Sequence, residues 1–433
     1  MSLPVKDVSR DDGESFQNSV YFQSSAAPGI LWHQRLLMFE LEKIQESLQE
    51  LGLDGWLLYD FRGSNQLARR VMKLSDDSMG SRRCVYGIPA VGEPVRIVHR
   101  IEDSSLDHLP GSKSIYLRWQ EFEAAIQEFV AGKNRIAMEY SFQNGNPYIS
   151  RVDAGTVELV RSFGVEVISS GDLIQLFEAV WTDQQWEMHQ AASKVTNAAF
   201  ELAWKSIADA VRLSGGIEEA AVRDVIMDHF DRHKMTTYHP PIVARGSHSG
   251  MPHYETGTGD DTRIRSGDFV LIDLWAKLDK PDSVYSDLTR TGFVGEDVPE
   301  EYVRIFNIVA AARDAGIAAV EAAMESGDPL PGAQVDDAVR DVIEKAGYGQ
   351  YFTHRTGHSI GQEVHGNGAH LDNLETRDER LILPRTCFSI EPGIYLPEFG
   401  VRCEVDVYID KDRQVHVTGG LLQKEVIPIL SQY

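Results

Sequence analysis

The sequence predicts an α/β domain over residues 30–178, followed by an α+β domain over 179–433 with duplicated halves. Three observations predict it. At 433 residues the chain is too long for one ordinary core. Before residue 170, strand-like runs alternate with helical patterns. After it, the order helix, helix, histidine-bearing loop, acidic hairpin occurs twice, without a residue-by-residue repeat.

Residues 1–29 are polar, lack the charged-then-apolar layout of a signal peptide, and read as a disordered tail. From Leu31 to Leu51 apolar residues recur at helical intervals, and Gly52 is placed to stop the helix. WLLYDF (56–61) then reads as a buried strand. Further strand-like runs are CVYGIP (84–89), PVRIVH (94–99), SIYL (114–117), RIAMEY (135–140) and VEVIS (165–169). Helical patterns lie near 120–131 and 151–163. No nucleotide-binding glycine loop and no dense set of histidines or carboxylates occurs here, so this domain reads as a scaffold, a dimerisation surface or a substrate-gating lid.

Around 170–182 the pattern changes to that of a linker and the start of a new domain. Helices are expected over about 186–211 and 217–233, then a loop rich in Gly, Pro and His (238–261) and an acidic hairpin (269–294). Two more helices (about 299–325 and 335–346), the histidine-rich YFTHRTGHSIGQEVHGNGAH and a second acidic hairpin (387–409) follow.

The 66 acidic and 42 basic side chains leave a formal charge of −24, which argues against nucleic acid or an anionic membrane surface as a partner. Cys84, Cys387 and Cys403 form no CxxC spacing, which implies a reducing compartment and no disulfide framework. No apolar run approaches the ~18–20 residues of a membrane span, and the cytoplasm is the expected location.

The first hairpin carries Asp273 in VLIDLW and Asp287 in VYSDLT, on arms that otherwise look buried. A carboxylate in an apolar strand needs a cation or a set of donors. Taken alone, the pair fits a shared metal or a capped turn equally well. The second hairpin carries Glu391 and Glu404, and a turn centred on Pro397 and Glu398 sets them nearly opposite each other. Facing strand residues have Cβ atoms roughly 4.5–5.5 Å apart. Four carboxylates on two hairpins, plus a neutral imidazole, are what a two-metal hydrolytic site requires. His358, in THRTGHSIGQEVHG, is the candidate imidazole, standing among His354, His365 and His370, with Gly357 and Gly361 leaving room for close backbone approach. An oxygen-rich set with one histidine favours Mn²⁺, Co²⁺, Fe²⁺ or Zn²⁺ over thiolate-selected metals, and two such ions are expected, Mn²⁺ first.

Asp273, SDLTRT with Asp287, TGHSIG with His358, SIEPGIY with Glu391 and GVRCE with Glu404 together resemble the pita-bread metallopeptidases, in their Xaa-Pro aminopeptidase and prolidase branch. The resemblance covers 180–433 in order and spacing, and more weakly 30–178. It implies a pita-bread (creatinase/aminopeptidase-like) catalytic domain that hydrolyses the bond before proline in peptides or dipeptides. It also implies that Asp287 and Glu404 bridge two metals, that Asp273 binds one, and that His358 and Glu391 bind the other. A water held between the metals would be the nucleophile, with Glu391 moving its proton. His253 and His365 match family histidines that contact substrate and the tetrahedral intermediate, and His354 and Arg402 match pocket-lining positions. Arg402 is placed either to hold a substrate carboxylate or to neutralise Glu404 and Asp406. Homodimerisation through the N-terminal domain is a further implication.

Two departures bear on substrate. Trp275 stands where the family has a small residue, on the face of Asp273, and either crowds the pocket or packs as core. The DKPDS turn is longer than the family's. Both leave room for a small non-peptide substrate, as in same-fold lyases or amidinohydrolases. A non-catalytic binding protein is the third reading, opposed by the intact ligand set.

Overall fold

Apolar runs bounded by Gly, Pro and Asn build a mixed sheet first. The computed structural model describes residues 40–75 and 80–433, so the expected tail and most of the first helix lie outside the described residues. Helix α1 (Leu41–Glu50) ends at Gly52, whose φ of 63° suits glycine. Strand β1 (Gly55–Phe61) is buried along nearly all its length. A short helix, α2 (Gln66–Val71), follows, capped by the Asn65 side chain accepting from the Ala68 N–H. Strands β2 (Arg83–Pro89), β3 (Val95–His99) and β4 (Ser112–Tyr116), helix α3 (Trp119–Val130), strand β5 (Arg135–Met138), helix α4 (Ala154–Ser162) and strand β6 (Glu166–Ser169) complete the layer. The sheet order is β4-β3-β2-β1-β5-β6. β2 is antiparallel to β1 and β3, and the other pairings are parallel. Phe122 and Ile126 of α3 and Val157 and Val160 of α4 share its core with Leu57, Val85 and Ile136.

The expected linker at 170–182 is instead largely a docked helix, α5 (Gly171–Glu178). Leu173 and Ile174 are buried, and Gln175 Nε2 donates to the Leu381 carbonyl at 3.0 Å. Apolar spacing inside a short polar frame concealed that helix. Leu41–Tyr433 form one compact unit.

The long helix α6 (Asp183–Ser214) starts at a capping box of Thr182 and Gln185 and stops at Gly215, with φ 73°. Strand β7 (Ile217–Glu218), helix α7 (Glu219–Arg232) and strands β8 (Met235–Thr236), β9 (Ile242–Arg245) and β10 (Arg263–Ile264) lead into the hairpin of β11 (Phe269–Leu278) and β12 (Ser286–Phe293). The second half repeats the layout with α8 (Glu300–Ser326), α9 (Gly332–Lys345) and the short strand β13 (Ser359–Ile360). Its hairpin is β14 (Cys387–Ile390) and β15 (Gly393–Tyr395) against β16 (Gly400–Arg402) and β17 (Val405–Ile409), with β18 (Val415–Thr418) beside β17. The two hairpins meet along β12 and β17: the Glu404 N–H donates to the Thr289 carbonyl at 3.4 Å, and the Asp287 N–H to Asp406 Oδ2 at 3.1 Å.

Strand alternation decides which side chains reach that seam. Val270, Ile272, Leu274 and Ala276 of β11 and Leu288 of β12 enter one core with Phe200, Trp204, Val222 and Ile226 of α6 and α7. Phe388, Ile390, Val405 and Val407 enter another with Val320 of α8 and Val335 of α9. Each such fully buried side chain contributes about 1.5–3 kcal/mol, which anchors both hairpins by their outer faces. Their inner faces, carrying Asp273, Trp275, Asp287, Thr289, Ser389, Glu404 and Asp406, turn toward each other.

Candidate metal centre

The register sets Asp273 opposite Thr289 and Asp287 opposite Trp275, so the two aspartates are diagonal neighbours rather than a facing pair. In the second hairpin Ile390 pairs with Val405 and Gly393 with Arg402, and the same register sets Glu391 opposite Glu404. His358 arrives between them because Gly357 lets the chain pass tight against β14. A Cβ at Gly357 would lie 1.9 Å from the Ser389 carbonyl oxygen. Gly361 has no such need, since a Cβ there meets nothing nearer than 4.0 Å.

Donor atoms of Asp287, His358 and Glu404 all lie within 4.8 Å of one another. His358 Nε2 is 3.5 Å from Asp287 Oδ2 and 3.3 Å from Glu391 Oε1. Its Nδ1 is 3.2 Å from the Ser359 carbonyl, which assigns the proton to Nδ1 and aims the Nε2 lone pair at the carboxylates. Burial, then Asp273, Asp406 and Glu391, push the Asp287 pKa well above the carboxylate range. Burial, then Asp287, Glu391 and Asp273, do the same to Glu404. Burial raises Glu391 as well, partly opposed by Arg402. His358 is held well below its ordinary pKa by burial, then by His365 and Arg355.

Four carboxylates and an imidazole lone pair thus converge with few donors between them. Such a set is strained unless a cation sits among its lone pairs, and its oxygen-rich make-up with one nitrogen fits a hard or borderline divalent ion. Asp273, Asp287, His358, Glu391 and Glu404 are the residues that could hold it.

Residues 187–411, just over half of the chain, match the profile of metallopeptidase family M24. The chain belongs to that family. An Xaa-Pro dipeptidase of Pyrococcus furiosus is 31% identical over 253 residues, 57% of this chain and 65% of that one. An Xaa-Pro dipeptidase of Pyrococcus horikoshii is 36% identical over 179 residues, 41% of this chain and 46% of that one. The chain therefore spans less than two thirds of either relative's length. Among solved structures, a dipeptidase from Pyrococcus horikoshii OT3 aligns with TM-score 0.54 at 25% identity, over 89% of this chain and 99% of that one. The dipeptidase PepE from Mycobacterium ulcerans, at 21% identity, shares the fold with TM-score 0.61 over 93% of this chain and 98% of that one. The α/β layer followed by a duplicated pita-bread unit is the architecture of these M24 proteins.

Around the M24 ligand positions, Arg402 is committed to the site's own acid. Its Nη2 pairs with Asp273 Oδ2, Nε donates to Thr289 Oγ1 at 3.0 Å and Nη1 to the Tyr395 hydroxyl at 3.0 Å. Of the two roles open in the sequence this geometry is the neutralising one, directed at Asp273 rather than at Glu404 or Asp406. The Tyr395 hydroxyl in turn meets His354 Nε2 at 2.7 Å, while His354 Nδ1 faces the Arg355 carbonyl at 2.7 Å. His354 is pushed down to about 3, first by burial and then by Arg402, so it stays neutral. His365 lies at the mouth, its ring 4.3 Å from that of His358 and edge-on to it. His253 is exposed on the turn before Tyr254, close enough for its charge to act on His354 and His365. Trp275 is wall rather than plug: only 8% exposed, it packs with Ile242, Ala244, Tyr254 and Tyr285 and stacks near His239 at 6.1 Å.

Sequence reasoning missed three residues of this site. Thr289 Oγ1 lies 2.7 Å from Glu404 Oε2 and 3.1 Å from Asp273 Oδ1. Tyr395 links Arg402 to His354. Asp406, fully buried and pushed up to about 8 mainly by burial, accepts from the Asp287 N–H and keeps a buried Oδ1 without a hydrogen-bond partner. Parity was the available signal: Thr289, Tyr395 and Asp406 each stand an even number of residues from a recognised acid.

Proposed function

We propose that this M24 protein is a peptidase that holds two divalent metal ions, Mn²⁺ first among them, and hydrolyses the bond before proline in Xaa-Pro substrates. The convergence of Asp273, Asp287, His358, Glu391 and Glu404 on one buried point carries the reading. The names borne by the Pyrococcus relatives point to the Xaa-Pro bond. In the proposed arrangement Asp287 and Glu404 serve both ions, Asp273 serves one, and His358 and Glu391 serve the other. When bound, such ions polarise a carbonyl and make water a competent nucleophile near neutral pH.

The chain's own side chains do the rest. Glu391, its proton affinity raised by burial, accepts the proton of the attacking water and returns it to the departing proline nitrogen. Neutral His365, with His253 beside it, donates where negative charge develops on the carbonyl oxygen. His354 and Tyr395 form one wall of the pocket and fix the Arg402 fork, which keeps Asp273 ionised and oriented. Trp275 and Tyr285 shield the site from solvent on the β11 side.

Two experiments test this. Elemental analysis of Mn²⁺-loaded protein should return about two ions per chain, and a stoichiometry of one would remove the dinuclear arrangement. Glu404→Gln should abolish both metal loading and the cleavage of Xaa-Pro dipeptides and longer Xaa-Pro peptides. Retention of either property would show that Glu404 is not a shared ligand.

A further inference from the structure

Arg355 stands three residues before His358 and is 8% exposed. Among the described residues no carboxylate oxygen lies within 4.0 Å of its guanidinium, whose one hydrogen bond is to the Tyr148 hydroxyl at 2.9 Å. The other deeply buried arginines are better supplied. Arg313, Arg380 and Arg402 pair with Asp314, Asp378 and Asp273, and Arg290 donates to the carbonyls of Glu404, Gly419 and Leu421. A buried guanidinium with a single phenol for company lacks an anion.

Its position says where the anion comes from. The Arg355 charge acts on His358, His365 and Glu391, so the guanidinium stands beside the cleft at the His365 end. The Arg355 backbone carbonyl positions His354, and Tyr148, which holds the guanidinium, packs edge-on against His370 at 4.6 Å. Arg402, the other arginine of the site, has its fork filled by Asp273, Thr289 and Tyr395. Glu375 is engaged with the Arg355 backbone N–H rather than with the side chain.

We propose that Arg355 anchors the free α-carboxylate of the substrate's proline, which makes dipeptides the substrate class of this enzyme. The inference rests on the Xaa-Pro reading above and sharpens it. A carboxylate directly after the scissile residue pairs with Arg355, whereas an amide or a third residue there presents no charge and leaves the guanidinium buried and unpaired.

The test uses the full chain loaded with Mn²⁺ and three substrates sharing one scissile bond: Ala-Pro, Ala-Pro amide and Ala-Pro-Gly. The wild type should favour the free dipeptide in kcat/KM by about 100-fold, a typical loss when one partner of a buried charged pair is absent. Arg355→Met should raise KM for Ala-Pro by a similar factor and leave Ala-Pro amide unchanged, and Arg355→Lys should recover part of the preference. Tyr148→Phe, which loosens the guanidinium without removing it, should weaken the preference several-fold and serves if Arg355→Met does not fold. Equal turnover of acid and amide by the wild type, or a parallel loss of both in the variants, overturns the anchor and leaves the peptidase reading standing. No turnover of any of the three defeats the Xaa-Pro reading, and the anchor with it.

Discussion

Replacing Thr289 with valine tests whether the seam between the hairpins is built to hold a cation. The two side chains are nearly the same size, so the change removes a hydroxyl and little else. That hydroxyl has one proton, and the 2.7 Å contact to Glu404 Oε2 against 3.1 Å to Asp273 Oδ1 assigns it to Glu404. It also accepts from Arg402 Nε at 3.0 Å. Valine thus removes a hydrogen bond to a charged acceptor and strips Arg402 Nε of its acceptor. Each such loss is worth about 1.5–3 kcal/mol in a buried setting. Most of that penalty is already present without metal and should appear as lower stability of chelator-treated protein. The remainder, loss of orientation of Glu404 and Asp273, should weaken Mn²⁺ binding about 10–100-fold, or about 1.4–2.7 kcal/mol. Titration calorimetry with Mn²⁺ on stripped protein reads the second quantity, and thermal unfolding in excess chelator reads the first. Affinity within about twofold of wild type, alongside a clear loss of stability, would refute the orienting role.

The remaining predictions concern the backbone beneath His358 and a buried acid far from it. Gly357→Ala should destabilise by about 1–3 kcal/mol and abolish Xaa-Pro hydrolysis, because its Cβ must push the Ser389 carbonyl and with it His358. Gly361→Ala, with open space around it, should change stability by less than about 0.5 kcal/mol, and paired urea melts of the two variants check the contrast. Glu139, fully buried in the N-terminal layer, is pushed up to about 7 by burial despite hydrogen bonds from Trp56, Asn65 and Ser170. Its folded pKa lies above the unfolded value, so its contribution is fully present below about pH 4.3 and is lost as pH rises to about 7. The loss is on the order of 3 kcal/mol across that window. Urea unfolding at a series of pH values should show that decline in wild type and a shallower one in Glu139→Gln. Parallel curves for the two would assign the slope elsewhere.

How much of this was legible in the sequence divides along a physical line. Strands such as WLLYDF and the long helices on either side of each hairpin were readable because periodicity records which face is buried. The acids of the seam were readable because a carboxylate in an apolar run contradicts its surroundings. Thr289 and Tyr395 were not, because a hydroxyl in a strand contradicts nothing, and only the partner strand shows what it touches. Arg355 was hidden for the opposite reason. A lone arginine in a polar loop looks solvated, and its burial against Tyr148 depends on a residue 207 positions earlier in the chain.

The same line explains the arrangement of charge in this molecule. An excess of acid of 24 at the level of the whole chain says little about any one site, because most of it is solvated. Inside, the balance is local. At the seam Arg402 offsets Asp273 and leaves Asp287, Glu391 and Glu404 to share whatever cation arrives. Beside it, Arg355 carries a charge that the fold leaves without a carboxylate partner. An anion-rich point next to an unpaired cation is complementary to a metal ion on one side and a short substrate's carboxylate on the other. Neither half would be stable by design in a protein that only had to fold. Charge-neutral replacements there should therefore raise the stability of the metal-free protein while removing its function. Asp287→Asn, melted in excess chelator, should unfold at a higher temperature than wild type. A lower one would mean that the Asp287 carboxylate is held by its hydrogen bonds and not strained by its neighbours.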